Sequence, residues 1–478
     1  MSHADPRDQR IAELEGRITQ LETLLTAALV KIEKLEAENA ELRAQLKLDS
    51  TNSSKPPSSD PPSVPRPQKD PTGRARGGQR GHKHHKRELL PPEKVNRFVD
   101  LKPSNCDRCR RPLEGTDPNP RRRQIVDLPK IEPDVTEVRY HALCCPDCGI
   151  VSRPGEPANL PGGSFGSRLV AVVALLTGKL GVSKRSAREF VSDVLGIDFA
   201  GGSISNTEQV VSEAAAGAVA EARDFVRCAP SAHLDETGWR EDKRRAWLWV
   251  AATALVSVFT IARSRGKKVA LEILNEGFAG VVISDRWAAY SWLLLSQRPI
   301  GGAHVKRDFQ GMVDRGGPGK QIGEALLVQL SKMFRWWARV RDGTLPRERF
   351  QRRMRKVERR IGDLLRDGEV CPDGRVSGMC AEILKVESAL WTFVKTEGID
   401  PTNNAAERDL RRAVLWRKRC FGTDSENGSR YAERILTVTT TLRKQKRPAL
   451  DFLAQSVDAA ARGKPRPSLL PEPRVPAA

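Results

Sequence analysis

The order of secondary structure between residues 233 and 285 constrains the fold most strongly. Three short β-rich runs, HLDETGW, RRAWLWVAAT and VSVFTIARS, are separated by polar turns. A helical segment, KKVALEILNEGF, and an apolar strand, GVVISD, follow them. The order β-β-β-α-β predicts an α/β domain built on a sheet of at least four strands.

This order is the beginning of a ribonuclease-H-like fold, in which the first and fourth strands lie side by side at the sheet centre. Asp235 falls within the first strand and Asp285 ends the fourth. Two carboxylates brought together in this way repel each other unless cations occupy the gap. Taken singly, Asp235 also suits a strand-end cap, and Asp285 suits the N-cap of a helix that begins near Arg286.

The stretch NNAAERDLRRAVLWRKR, from Asn403 to Arg419, places Glu407 among many cations. In a helix, Glu407 and Arg411 lie one turn apart on a single face. One interpretation is a metal-binding carboxylate beside a polyanion that Arg408, Arg411 and Arg412 hold. The other is a solvated amphipathic helix with an internal ion pair.

Two aspartates and a glutamate on two strands and a helix meet the needs of two-metal phosphoryl chemistry. Carboxylate oxygens of Asp235, Asp285 and Glu407 would hold two Mg²⁺ ions about 4 Å apart, with Mn²⁺ able to substitute. The attacking group would be water in strand cleavage and a DNA 3′-hydroxyl in strand joining. No covalent protein nucleophile is required.

The charge of the chain favours a polyanionic partner. The 478 residues include 81 Lys and Arg against 60 Asp and Glu, a net charge of +21. Nucleic acid is the expected partner, with salt-sensitive binding. No apolar run approaches the roughly 18 uninterrupted residues that a membrane span requires. We therefore expect a cytoplasmic, nucleoid-associated protein without a membrane partner.

A heptad repeat in residues 8–48 predicts a coiled coil of about five heptads. Asn39 falls at a core position, where a buried amide pair fixes register and favours two parallel strands. We expect a homodimer or a higher homo-oligomer; a single helix packed on its own chain is the alternative. The two core positions of the repeat hold, in order, Ile11, Ile18, Leu25, Ile32 and Leu46, and Leu14, Leu21, Ala28, Leu35 and Leu42.

Two CxxC pairs in residues 98–153 predict one tetrahedral, structural Zn²⁺ site. The runs RQIVDLP and VTEVRYHALC between the pairs alternate like strands, which favours a zinc ribbon over a helical finger. Cys144 is interpreted as a bystander, and the alternative is that it competes with Cys145 as a ligand. The four predicted ligands are Cys106, Cys109, Cys145 and Cys148.

The other segments complete a multidomain α/β chain. A further strand is predicted from Ile300 to Val305, with the candidate DNA-binding residues His304, Lys306 and Arg307 at its end. The helical region 160–226 is a helix-turn-helix or a helical packing layer, and its Ser183 is a candidate helix cap. The remaining segments are a basic disordered linker (49–97), the first part of the core (229–310), an α-helical insertion (311–399), the second part of the core with C-terminal helices (400–458) and a disordered tail (459–478).

Several motifs resemble one known family over nearly the whole span from Ile11 to about Gln455. The chain resembles the DDE transposases of the insertion-sequence family numbered sixty-six, which have an N-terminal leucine-zipper-like helix and a zinc ribbon. The motifs that carry the resemblance are NSSKPPSSD (52–60), GGQRGHK (77–83), the paired CxxC with RQIVDLP, DET (235–237), SDRWAAY (284–290), AHVKRDF (303–309) and NNAAERDLRR (403–412).

The resemblance implies that Asp235, Asp285 and Glu407 form the metal-binding triad, with an α-helical insertion ahead of the glutamate. It implies binding of the element's terminal inverted repeats and of target DNA, together with strand cleavage and strand transfer. The family's elements usually encode accessory proteins, which are expected partners. A catalytically silent DNA-binding relic and a ribonuclease-H-like nuclease are the alternatives.

Overall fold

The computed structural model of the chain describes residues 6–46, 88–157 and 163–471. Most of the predicted linker, with the motifs NSSKPPSSD and GGQRGHK, lies outside the described residues. The described residues form two compact units. One unit lies within Pro67–Pro154 and Arg188–Ala200, and the other lies within Met1–Arg66, Gly155–Ala187 and Gly201–Ala478.

Helix α1 (Pro6–Leu46) is 41 residues long and covers most of the predicted heptads. Apolar side chains at both core positions of the repeat are exposed along it, including Leu14, Ile18, Leu21 and Leu25. The helix therefore does not bury this stripe against its own chain, and pairing with a second copy stays a prediction. No helix within the described residues is long and apolar enough to cross a membrane.

The smaller unit contains two short antiparallel strands, β1 (Leu143–Cys144) and β2 (Val151–Ser152). The predicted strand over RQIVDLP was wrong, and of VTEVRYHALC only the last two residues form a strand. Ile125 and Leu128 are 78% and 82% exposed, so the alternating pattern has no core to face. Pro129 and Pro133 also lack the amide hydrogen that a strand ladder needs.

The region after residue 163 is helical, as predicted. Helix α2 (Ser167–Ala174) continues as a π-turn (Leu175–Lys179), and α3 (Lys184–Leu195) and α4 (Gly201–Arg227) follow. Ser183 caps α3, since its Oγ accepts the backbone N–H of Ser186 at 3.1 Å. Whether α2 and α3 act as a helix-turn-helix stays open.

The predicted β-β-β-α-β order is present. Strands β3, β4 and β5 form an antiparallel meander, and β6 adds to β3 in parallel, so the sheet order is β5-β4-β3-β6. The first and fourth strands of this domain are neighbours, but β6 is the outer strand, with a single bridge from Ser284 to Ile300 beyond it. The elements are β3 (Ser231–Glu241), β4 (Arg244–Ala252), β5 (Ser257–Ala262), α5 (Lys267–Leu274) and β6 (Val281–Ile283).

The predicted strand from Ile300 to Val305 was wrong. Its residues begin α6, whose buried Val305, Phe309 and Met312 follow helical spacing. Helices α6 to α10 share a core that includes Phe350 and Trp391 and reaches the sheet at Ile283 of β6. These helices are α6 (Gly302–Arg315), α7 (Gly317–Arg341), α8 (Arg347–Glu369), α9 (Gly374–Leu384) and α10 (Thr392–Lys395).

Three helices return the chain to the sheet: α11 (Asn404–Cys420), α12 (Glu426–Lys444) and α13 (Ala449–Ala461). Ala406 and Leu410 of α11 pack with residues of β3, β4 and β5. Part of the predicted disordered tail is packed instead. Leu469 is fully buried and its carbonyl accepts from the side chain of Gln445 at 2.8 Å, whereas residues 462–466 are exposed.

Candidate active site

Two carboxylates lie at the same level of neighbouring strands. In the parallel pair of β3 and β6, His233 is opposite Ile283, and Asp235 and Asp285 each follow two residues later. Parallel strands advance by the same distance per residue, so the two residues lie at the same level, Asp235 within β3 and Asp285 just beyond the end of β6.

Asp235 lies in an unfavourable environment for a negative charge. Its Oδ1 accepts the backbone N–H of Glu236 at 2.9 Å. Burial raises the pKa of Asp235 well above its usual range, and the negative charges of Glu236, Asp285 and Glu407 raise it further. The three candidate carboxylates thus share one electrostatic environment. A cation in it would relieve their repulsion.

Glu236 is a second buried carboxylate beside Asp235. Its side chain is 1% exposed, and its Oε1 accepts from Nε of Arg265 at 2.5 Å. Its Oε2 accepts the hydroxyl of Tyr290 at 2.6 Å. Burial raises the pKa of Glu236, whereas the hydrogen bonds from Tyr290 and Arg265 oppose that shift. Both carboxylate oxygens are therefore committed to protein partners.

Arg265 links Glu236 to Asp285. Its Nη2 lies 3.8 Å from Oδ2 of Asp285, and its guanidinium lies 4.2 Å from the ring centre of Trp287. Trp287 donates its indole N–H to the carbonyl of Arg265 at 3.0 Å and its backbone N–H to Oδ1 of Asp285 at 2.8 Å. Each oxygen of Asp285 thus faces a partner supplied by this arginine–tryptophan pair.

Glu407 reaches the site from the first turn of α11. Asn403, which precedes the helix, is fully buried and donates Nδ2 to the carbonyl of Leu234 at 3.0 Å. Its Oδ1 lies 3.1 Å from Nδ1 of His233. The beginning of α11 is therefore attached to β3 one residue before Asp235. The side chain of Glu407 is 42% exposed.

His304 stands beside Glu407, with 3.7 Å between its Nε2 and Oε1 of the carboxylate. Its Nδ1 accepts from the guanidinium of Arg307, which leaves the ring hydrogen of the neutral form on Nε2. Burial, and then the charge of Arg307, lower the pKa of His304. A neutral imidazole is expected near neutral pH.

A polar cleft of about 390 Å³ adjoins these residues. Its lining includes Asp285, Arg286, His304, Arg307 and Asp308. Arg286 pairs with Asp308 at 2.7 Å, whereas Lys306 is exposed on α6.

The three candidate DNA-binding arginines of α11 differ in their exposure. Arg408 and Arg411 are exposed and Arg412 is half-buried. In the described parts of the chain none of them makes an ion pair, so the predicted pair of Glu407 with Arg411 is not formed. The other acid of the helix, Asp409, is buried and lies 2.7 Å from Nζ of Lys444.

Sequence reasoning missed several of these positioning residues. Glu236 stands in the motif DET beside Asp235, and its pairing with Arg265 and Tyr290 depends on contacts distant in the chain. Arg417 is a similar case, since its Nη1 donates to the carbonyl of Gly238 and to Oγ1 of Thr237 at 3.2 Å. The two asparagines of NNAAER were the available signal for Asn403.

The comparison with known families decides the assignment. Residues 162–431, more than half of the 478, match the family described as "Transposase IS66 family". The chain belongs to this transposase family. Residues 3–88 of the chain match a second family, "Family of unknown function (DUF6444)".

A curated relative matches the chain over 248 residues at 25% identity. It is "Uncharacterized protein y4qI" of Sinorhizobium fredii (strain NBRC 101917 / NGR234). The match covers 46% of this chain and 45% of that protein, less than half the length of the relative. The name of this relative describes no activity.

The two CxxC pairs of the IS66 family member form equivalent loops. The backbone N–H of Cys106 donates to the carbonyl of Arg111 at 2.8 Å, and that of Cys145 donates to the carbonyl of Ile150 at 2.9 Å. Within each loop, backbone N–H groups donate to the first thiol and lower its pKa, most strongly those of Cys109 and Cys148. Each loop suits a pair of thiolates.

The loops and the carboxylates are not gathered into closed ligand groups. Within residues 6–46, 88–157 and 163–471, no three His, Cys, Asp or Glu side chains form a group that could hold a metal ion. The four cysteines lie in two similar pairs, and the charges of Asp285 and Glu407 raise the pKa of Asp235.

Proposed function

We propose that this IS66 family member is a DNA transposase with a ribonuclease-H-like core. It binds the terminal inverted repeats of its element, cleaves DNA strands and transfers them to target DNA. The observation that carries the proposal is the shared environment of Asp235, Asp285 and Glu407, in which the charges of the other two raise the pKa of Asp235. Family membership supports the same activity.

The donor set suits two Mg²⁺ ions, or Mn²⁺ in their place. Carboxylate oxygens are the ligands these hard cations prefer, and the surplus negative charge at Asp235 favours a cation there. Asp235, Asp285 and Glu407 would hold the ions. The chemistry that the ions supply when bound is activation of the attacking oxygen and stabilisation of the leaving oxygen.

The residues around the carboxylates position them and bind DNA. Arg265 and Trp287 orient Asp285, and Asn403 sets the start of the helix that carries Glu407. In this proposal DNA phosphates are bound by polar and basic groups of α6 and α11, since guanidinium and ammonium groups and an imidazole N–H donate hydrogen bonds to phosphate oxygens. These groups are His304, Lys306, Arg307, Arg408, Arg411 and Arg412.

The smaller unit holds one structural Zn²⁺ through Cys106, Cys109, Cys145 and Cys148. Four thiolates leave no coordination position open for catalysis. The equal turn geometry of the two CxxC loops supports this assignment. The remaining partners in the proposal are a second copy bound through α1 and accessory proteins encoded by the element.

A strand-transfer assay with terminal-repeat DNA and Mg²⁺ tests the proposal. Asp235→Asn, Asp285→Asn and Glu407→Gln should each abolish cleavage and joining while DNA binding remains. Glu324→Gln, which removes a half-exposed carboxylate paired with Lys320 on α7, is the matched control and should retain activity.

The assay also separates the alternatives. Normal strand transfer by all three variants would show that the triad is wrong. A wild-type protein that binds terminal repeats but never cuts them would be a silent DNA-binding relic. Cleavage of DNA without joining would indicate a nuclease.

A further inference from the structure

Helix α8 of the α-helical insertion has two chemically opposite faces. One face is buried and apolar, with Phe350, Met354, Val357, Ile361 and Leu365 in the core of the insertion. These residues recur at the spacing of a single helical face. Because this face packs against the core, the side chains on the opposite side of α8 are directed away from it.

The opposite face, which we call the α8 cationic face, carries seven basic side chains. At 3.6 residues per turn they occupy an arc of about 160° around the helix. All seven are exposed. Between Arg347 and Arg360 the one acidic residue in that arc is Glu348, whereas Asp363 and Asp367 occupy the arc in the last two turns of the helix. The seven residues are Arg349, Arg352, Arg353, Arg355, Lys356, Arg359 and Arg360.

These cations lack anionic partners in the protein. In the part of the chain that the structure describes, none of the seven makes an ion pair. The guanidinium of Arg353 lies 5.3 Å from the ring centre of Trp336, which is the side-chain contact found there for these seven residues. Several are spaced i,i+4, such as Arg349 with Arg353 and Arg352 with Lys356. Like charges at that spacing repel each other and destabilise a helix.

A face that only keeps a protein soluble mixes both signs of charge. The α8 cationic face instead concentrates one sign along one line. From Arg349 to Arg360 the helix rises about 16 Å, and duplex DNA presents about ten phosphate charges over that length. A rigid, linear polyanion therefore matches the face in both charge and extent.

We propose that the α8 cationic face is a binding surface for the phosphate backbone of double-stranded DNA, separate from the carboxylate site. Arginine and lysine contacts to phosphates carry no sequence information, so the face binds any duplex. The choice of DNA over another polyanion rests on the proposed function. The face would hold DNA that the carboxylate site acts on, or DNA next to it.

Salt dependence of DNA binding by the full chain tests this surface. The variant Arg349→Gln/Arg352→Gln/Lys356→Gln/Arg359→Gln removes four charges and keeps good helix formers. We expect it to bind a random-sequence duplex at least about tenfold more weakly near 0.1 M salt. The slope of log K against log salt should be smaller by about 3.6, since each of the four lost phosphate contacts removes about 0.9.

Two further variants make the result specific. Lys267→Gln/Lys268→Gln/Lys332→Gln/Lys464→Gln removes four exposed charges from other parts of the chain and should leave the slope nearly unchanged. Arg349→Lys/Arg352→Lys/Arg359→Lys keeps the charge and should bind DNA like the wild type. Circular dichroism of each variant verifies that the helices are retained.

The outcomes separate this inference from the proposed function. An unchanged slope in the α8 glutamine variant would overturn the inference even if the wild type transfers strands. The inference would also be overturned if the α8 glutamine variant lost affinity for duplex RNA but kept its affinity for duplex DNA. If the wild type transfers no strands but the α8 variant still loses DNA affinity, the surface stands and the proposed function fails.

Discussion

The side-chain amide of Asn403 donates a hydrogen bond of 3.0 Å to the backbone carbonyl of Leu234. Leu234 precedes Asp235 on β3, and Asn403 precedes the helix that carries Glu407. Two segments about 170 residues apart in the chain are therefore joined directly beside the candidate carboxylates. The bond is buried, so no water competes for it.

Asn403→Ala should lower strand transfer much more than DNA binding. It leaves the carbonyl of Leu234 without this donor and His233 without the amide oxygen, at a cost of about 1–3 kcal/mol in the free energy of unfolding. The start of α11 then moves relative to β3, and Glu407 moves with it. Urea unfolding and single-turnover strand transfer measure the two effects. Asn404→Ala, at the exposed neighbour, should change neither.

Arg265→Gln should destabilise the protein far more than Arg263→Gln. Arg265 pairs with Glu236, whose side chain is 1% exposed, and removing one partner of a buried pair costs about 3 kcal/mol or more. Arg263 pairs with Glu241 at 2.6 Å, but its side chain is 47% exposed, and such pairs contribute about 0.2–1 kcal/mol.

The rate of strand transfer gives a second comparison between Arg265→Gln and Arg263→Gln. Arg265→Gln should also lower the rate of strand transfer without weakening DNA binding, because Asp285 loses the guanidinium beside its Oδ2. The argument for Arg265 as a positioning residue fails if both arginine variants unfold at the same urea concentration and transfer strands equally fast.

Asp235 predicts a pH dependence of stability without metal. Its pKa in the folded protein is raised, chiefly by burial, so the folded state binds this proton more tightly than the unfolded state does. The resulting contribution of Asp235 to the free energy of unfolding is fully present below the ordinary pKa of aspartate, about 4. It is lost as pH rises through the raised pKa. In EDTA, Asp235→Asn should therefore melt at a higher temperature than the wild type at pH 7.5, with the difference shrinking towards pH 4.

Added Mg²⁺ should reverse the order of the two melting temperatures, so that the wild type melts above Asp235→Asn. Binding of the ion to the folded wild type raises its melting temperature by mass action, whereas Asp235→Asn, which lacks one carboxylate, should gain much less. A wild type that melts at the same temperature in EDTA and in Mg²⁺ would contradict the assignment of the metal to this site.

Sequence patterns anticipated the local elements better than the contacts between them. Alternating apolar residues and polar turns predicted the order of β3, β4, β5, α5 and β6. The helical spacing of its residues predicted α11. The segment after Ile300 was misread because Val305, Phe309 and Met312 show their helical period only beyond the short apolar run. The strand predicted over RQIVDLP was wrong for the opposite reason: its apolar residues alternate, but they have no core to pack against.

The site could be predicted only in part for the same physical reason. Strand order indicates that Asp235 and Asp285 are close, because β3 and β6 are neighbours. The pairing of Glu236 with Arg265 and Tyr290 depends on side chains that only the folded chain brings together. No local pattern of residues encodes such contacts, so these positioning residues became visible only in the structure.

The exposed stripe of α1 predicts self-association. Leu21→Glu places a charge at a heptad core position and should convert a dimer into a monomer, because the charge would be buried between the two helices. Val30→Glu changes an apolar residue of the same helix that is off both core positions and 62% exposed, and it should stay dimeric. Light scattering after size exclusion measures the mass. Monomeric wild-type protein would exclude pairing through α1.

The paired CxxC loops predict one Zn²⁺ per chain. Cys106→Ser should lose most of the metal and destabilise the smaller unit, since one missing thiolate opens a structural site. Cys144→Ser is the matched control: its thiol contacts the backbone carbonyl of Gly149 at 3.4 Å, and its loss should leave the zinc content at about one. Metal analysis of the purified variants measures this. Equal zinc in the wild type and Cys106→Ser would mean that the metal is bound elsewhere, whereas loss of zinc in Cys144→Ser would make Cys144 a ligand in place of Cys145.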